Sequence, residues 1–280
     1  MTQAQGSNFP WAWTGIAAVG LAAILWAERR APLRARQEPE QRHVLRNLAL
    51  AVANAGVMWL IEQRTVERLS HAVERRGWGL SRLPFLPKAL RLPLALIVMD
   101  YTFYLWHRAC HRVPGLYRLH AVHHADHDLD ASTALRFHIG ETVAALPVRA
   151  AQVLLAGLGP KDYAIWRRIF VLNVAFHHAN WRLPAWAERW LSRVIVTPEL
   201  HDIHHSKASR ERESNWSSGL VLWDQLHGTL RRQARTASIG DPAYPRPQDR
   251  ALAALLATRP VASKLDEPDR PEVARGGAGA

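Results

Sequence analysis

Five apolar runs, set apart by arginine-rich stretches, organise the first two thirds of the chain. The first, FPWAWTGIAAVGLAAILWA (9–27), is uncharged and stops at Glu28, Arg29 and Arg30. At about 1.5 Å per residue it approaches the roughly 20 residues that cross a bilayer. No basic residue precedes it, so it lacks the n-region of a signal peptide and reads as a retained anchor. NLALAVANAGVMWLI (47–61) is shorter and equally uncharged, and LPLALIVMDYTFYLW (92–106) is a third run, interrupted by Asp100. TVAALPVRAAQVLLAGL (142–158) and YAIWRRIFVLNVAF (163–176) are weaker; the turn GPKD joins them, so they read as a helical hairpin. Arg149, Arg167 and Arg168 oppose its full insertion.

The short loop 28–46 is rich in arginine, so the positive-inside rule makes it cytoplasmic and the N-terminus external. Counting forward, the second span leaves the cytoplasm, the third returns, and the hairpin brings His177 back to the side of His107. The stretches 66–83 and 183–196 alternate apolar residues with arginine and read as amphipathic pieces in the interface. Beyond Arg235 the chain turns to Pro, Arg, Asp and Ala, and disorder is expected in its last twenty residues. The expected architecture is an all-α integral membrane protein whose transmembrane helices carry a cytosolic helical cap. Its parts are anchor helices with basic loops over 1–91, a histidine-rich unit over 92–235 and a tail over 236–280.

Charge and cysteine content narrow the choice of partner. The net charge of +12 favours an anionic one. The arginines flank the apolar runs, which selects a membrane surface and argues against nucleic acid. Cys110 is the single cysteine, so neither an intrachain disulfide nor a thiolate zinc cluster can form.

Thirteen of the fifteen histidines fall between His107 and His227. WHRACHR places His107 and His111 one helical turn apart, on the stripe that also carries Asp100 and Tyr104. The pattern H-x-x-H-H occurs twice, as His120, His123 and His124 in LHAVHHADHD and as His201, His204 and His205 in LHDIHHSK. His138 and the pair His177 and His178 add to a set too large for one metal ion. A lone histidine is usually a hydrogen-bonded core or surface residue, which is the reading of His43 and His71; His127 and His227 read as bystanders. Imidazole suits Zn, Cu, Fe and Ni. Asp100, Asp126, Glu141, Asp202 and Asp224 are the carboxylates able to orient imidazoles and offset metal charge. A membrane metal-binding or transport protein and a zinc-dependent hydrolase are the competing readings.

From 100 to 230 the chain closely resembles the fatty acid hydroxylase or sterol desaturase superfamily. The resemblance rests on WHRACHR, LHAVHHAD, TALRFHIGE, FHHANW, TPELHDIHHS and SNWSSGLVLWDQLHGTL in that order. It implies a membrane enzyme with two iron ions, which zinc can replace in isolated protein. Such an enzyme hydroxylates or desaturates a lipid with O2 and electrons from a separate ferredoxin- or cytochrome-type protein. Carried onto this sequence, the implied ligands are His107, His111, His120, His123, His124, His138, His178, His201, His204 and His205. Glu141, Asn180 and Asp224 match the polar residues that accompany those motifs. His227 departs from the pattern, standing where the family usually has an aromatic residue.

Overall fold

The computed structural model describes residues 9–245 and 252–257. α1 (Phe9–Arg30) is followed by a loop and then α2 (Glu40–Val57). No proline or glycine interrupts the chain between Val57 and Arg76. The helix therefore continues through a π segment, Met58–Gln63, into α3 (Arg64–Arg76), and ends where Gly77 adopts φ 66°. The segment read as a separate interfacial piece thus extends the second span. α4 (Lys88–Arg112) comes next, and Val113 in an extended conformation ends it. Pro114, preset for a first helical turn, starts α5 (Pro114–His124). The hairpin read from sequence is α6 (Ile139–Ala156) and α7 (Pro160–His178). Five short helices follow: α8 (Ala185–Leu191), α9 (Pro198–His204), α10 (Ser209–Arg212), α11 (Leu222–Leu226) and α12 (Leu252–Ala257).

Among the described residues there is no strand, only two isolated bridges, Ile195 with Leu220 and Ser206 with Ile239. The protein is an all-α membrane protein. Among the described residues, three stretches are long and apolar enough to cross a bilayer: Glu40–Arg82, Lys88–Arg112 and Ile139–Ala156. α7 is not among them. α1 has 22 residues, about 33 Å at the helical rise, which matches a bilayer's hydrocarbon core.

The long helices pack around Val66, Val73, Met99, Val153 and Trp166, all buried. Two turns meet closely at one end of this bundle. A Cβ on Gly79 would stand 2.3 Å from the Gly157 backbone, so a side chain cannot be placed there. At the other end, polar ties lock loops to helices. Asn180 accepts from the Arg34 backbone N–H and donates to the Arg34 carbonyl, while the Arg34 guanidinium reaches Asp202 at 2.7 Å and the Leu129 carbonyl. α8 projects Trp186 and Trp190 into the surroundings, as an interfacial helix does.

Part of the segment read as a tail packs onto the body. The Lys207 N–H donates to the Ser238 carbonyl and the Gly240 N–H to the His205 carbonyl. Tyr244 is buried beside Tyr117, whose hydroxyl donates to Asp241. The last twenty residues lie outside the described part of the chain.

Candidate metal centre

The C-terminal ends of four helices meet at one place. His111 lies in the last turn of α4, His123 and His124 in that of α5, His177 and His178 in that of α7, and His201 and His204 in that of α9. His205 caps α9. Each helix end carries partial negative charge on carbonyls without an intrahelical partner, so four macrodipoles favour a cation at this point.

Two groups of imidazoles result. His107, His111, His120, His124 and His204 form one, and His123, His178, His201 and His205 the other; within each group the ligating nitrogens lie within 4.8 Å of one another. All nine side chains are buried. The groups adjoin, since the His124 and His205 rings stack at 4.3 Å.

Hydrogen bonds set the tautomers. A backbone carbonyl only accepts, so a ring nitrogen bonded to one must carry the proton. Nδ1 of His107 donates to the Trp216 carbonyl at 2.8 Å, that of His204 to Ser214 at 2.8 Å, that of His123 to Arg136 at 3.2 Å and that of His178 to Val174 at 2.7 Å. Nδ1 of His120 donates to the Glu141 carboxylate at 2.9 Å. In neutral rings Nε2 is then left as a lone-pair donor, the state that ligates metal. Nε2 of His178 stands 3.0 Å from Nε2 of His123 and 3.0 Å from that of His201, with His205 Nε2 a further 3.1 Å from His201.

Burial and neighbouring imidazoles push the pKa values of His123, His124, His201 and His205 well below the ordinary histidine value, so these rings are held neutral. Nitrogens bound at about 2.0–2.1 Å to one ion and at right angles to each other lie about 3 Å apart. The set fits divalent metal by tautomer, charge and spacing.

His138 is placed elsewhere. Its Nδ1 accepts from the Gly140 N–H at the start of α6, and its Nε2 meets the Leu256 carbonyl at 3.1 Å. Its ring is spent on capping one helix and holding another. His177, one position from an implied ligand, instead lies against the second group, 4.2 Å from the His201 ring, with Nδ1 donating to the Ser218 carbonyl.

The acidic and amide residues separate in the same way. Glu141 touches His120. Asp100 does not reach an imidazole: its carboxylate accepts from the Leu220 N–H and the Trp223 indole, fastening the turn before α11 to α4. Gly219 leaves room for it, since a Cβ there would sit 2.3 Å from Asp100 Oδ1. Asp224 accepts from the Trp216 and Ser217 N–H groups, holding the loop whose carbonyl receives His107. Asn180 serves the Arg34 loop. Asp126 is buried against His43 at 2.9 Å, and Asp202 pairs with Arg34 and Arg235. His227 stacks 4.9 Å from Tyr104, taking an aromatic residue's part in packing.

A cavity of about 430 Å³ opens from the histidines between α2, α4, α6 and α7. His107, His120, His123, His177, His178 and His201 close one end, and Phe103, Trp106, Phe137, Val171 and Val174 form its apolar wall.

An all-helical membrane protein with a buried histidine cluster at the closed end of an apolar cavity defines the class. Residues 92–229 match the fatty acid hydroxylase family, which assigns this part of the chain to the fatty acid hydroxylase superfamily. It is 30% identical to the ornithine lipid hydroxylase OlsE of Rhizobium tropici over 54% of this chain and 45% of that protein. It is 25% identical to the alkylglycerol monooxygenase of Homo sapiens over 65% of this chain and 40% of that one. The cholesterol 25-hydroxylase of Homo sapiens is 27% identical over 51% of each chain. The chain spans about half the length of these relatives or less. No solved structure matches.

Proposed function

We propose that this chain is an oxygenase that hydroxylates, or desaturates, a membrane lipid with O2, using two iron ions and electrons from a separate ferredoxin- or cytochrome-type protein. The carrying observation is the pair of buried imidazole groups, five and four in number, at the closed end of an apolar cavity, with the tautomers of His107, His120, His123, His178 and His204 fixed by hydrogen bonds. The three relatives named above are hydroxylases or monooxygenases, in keeping with this reading.

The ligands would be His107, His111, His120, His124 and His204 for one ion and His123, His178, His201 and His205 for the other. Bound iron supplies the redox chemistry that no side-chain acid, base or nucleophile can apply to an unactivated C–H bond. Everything else falls to the protein. The aromatic wall of Phe103, Trp106 and Phe137 excludes water and aligns an alkyl chain with its reacting carbon against the imidazoles. Glu141 keeps the His120 proton on Nδ1 and stabilises positive charge beyond the ring. Positive-inside topology would put the histidines on the cytoplasmic face, where a soluble electron donor can dock.

Metal analysis with an oxygen-uptake assay tests the reading. Iron together with oxygen consumption is expected. Zinc with ester or phosphate cleavage would show a hydrolase, and metal without turnover would show a metal carrier. Lipid mass spectrometry of cells with and without the protein should reveal a gain of one oxygen or a loss of two hydrogens.

A further inference from the structure

The cavity's other end is polar, although Glu62 and Arg149 there come from helices long and apolar enough to span the membrane. Glu62, Arg149 and Tyr163 line it there. Glu62 sits in the π segment that joins α2 to α3. Its neighbours Trp59, Leu60 and Ile61 are exposed, whereas Glu62 is buried, so the widened turn carries one carboxylate inward among three outward apolar side chains. Single π turns inside α-helices recur at functional sites.

Arg149 comes to meet Glu62 from α6, its Nε 3.5 Å from Glu62 Oε1, too far for a good hydrogen bond and without another partner. The guanidinium lies 4.4 Å over the Trp166 ring and gives one N–H to Gln152. The Tyr163 hydroxyl reaches Glu62 at 3.4 Å, again a loose contact. Ionisable groups at such depth are costly and are retained chiefly for a function. Here the hydrogen bonds are long, and the groups face a cavity.

We propose that Glu62, Arg149 and Tyr163 form a recognition site for a neutral oxygen group, a hydroxyl or ether, on a single-chain lipid whose distant carbon lies at the histidines. The inference rests on the cavity being the substrate site of the proposed oxygenase. Length supports it: Arg149 is eight residues beyond Glu141 on α6, about 12 Å, and Tyr163 is fourteen before His177 on α7, about 21 Å. Charge selects the chemistry. The Glu62 and Arg149 charges cancel, and a lipid carboxylate would face the Glu62 carboxylate in a poorly solvated space. A hydroxyl or ether oxygen can accept from Arg149 Nε, whose only contact among the described residues is the loose one to Glu62, and a hydroxyl can also donate to Glu62.

Competition against tritiated 1-hexadecanol on the detergent-solubilised full chain tests this without turnover, under anaerobic conditions. Unlabelled 1-hexadecanol is expected to compete about tenfold better than hexadecane, as one hydrogen bond to a charged group implies, and better than palmitate. Arg149→Met and the milder Tyr163→Phe should reduce the alcohol's advantage while hexadecane competes as before. A purely structural ion pair would alter stability and leave that ratio unchanged. Equal competition by alcohol and alkane, preference for palmitate, unaltered selectivity in a folded variant, or no saturable binding would each overturn the proposal. Iron content and oxygen uptake judge the oxygenase reading separately.

Discussion

Nε2 of His123 and Nε2 of His178 stand 3.0 Å apart, although each ring carries its proton on Nδ1, where it donates to a backbone carbonyl. In neutral rings neither nitrogen can donate to the other, so two lone pairs face each other inside the protein. A shared cation resolves that repulsion. The pair is therefore the most direct structural argument for metal in the second group.

His123→Ala should lower the metal content of the purified protein and abolish oxygen uptake, and His204→Ala should do the same through the first group. Elemental analysis per folded chain is the check. Full metal content with full activity in either variant would remove the dinuclear reading.

Glu141→Gln keeps the shape of the side chain but weakens the charge-assisted bond to His120 Nδ1. Loss of such an outer partner typically costs about 10 to 100-fold in metal affinity or activity. His138→Ala should leave metal content at the wild-type level, because that ring caps α6 and meets the Leu256 carbonyl. Iron titration of the two variants side by side decides both statements.

Asp100→Asn should act on stability. The carboxylate accepts from the Leu220 N–H and the Trp223 indole at 2.9 and 2.7 Å, and weakening those bonds costs about 1–3 kcal/mol. A lower Tm with unchanged iron per folded chain is expected. Reduced iron at unchanged Tm would instead link Asp100 to the ligands.

Acid should release the metal. His123, His124, His201 and His205 have folded pKa values well below their ordinary 6.5. The unfolded chain therefore binds more protons in acid, and the stability these groups provide is complete above about pH 6.5 and declines as the pH falls below it. Protons also compete with metal for the same nitrogens. Tm and retained metal measured from pH 8 down to pH 5 should fall together below about pH 6.5.

The histidines were legible because ligand chemistry demands repeated residue types at helical spacing. H-x-x-H-H and H-x-x-x-H announce shared faces before any fold is known. His138 shows the limit: a histidine close to the motifs along the chain can face another way, and only the helix start at Ile139 determines its direction. Asp100 shows a second limit, since a shared helical stripe with His107 fixes the face but not which segment packs upon it. The carbonyls of Trp216, Ser214, Arg136 and Val174, which set the tautomers, leave no side-chain signature at all. The continuity of α2 into α3 was hidden for another reason, because the polarity changes after Ile61 while the helix runs on through the π segment.

The meeting of four helix ends has a mechanical consequence. His107 and His204 stand in one group although almost a hundred positions separate them in the chain. An ion held there is a cross-link, closing several long loops at one point, and the entropy removed from the unfolded chain grows with the length of each loop. Loading with metal should thus stiffen the whole histidine-bearing end, and slowed amide exchange in α5 and α9 would be its signature.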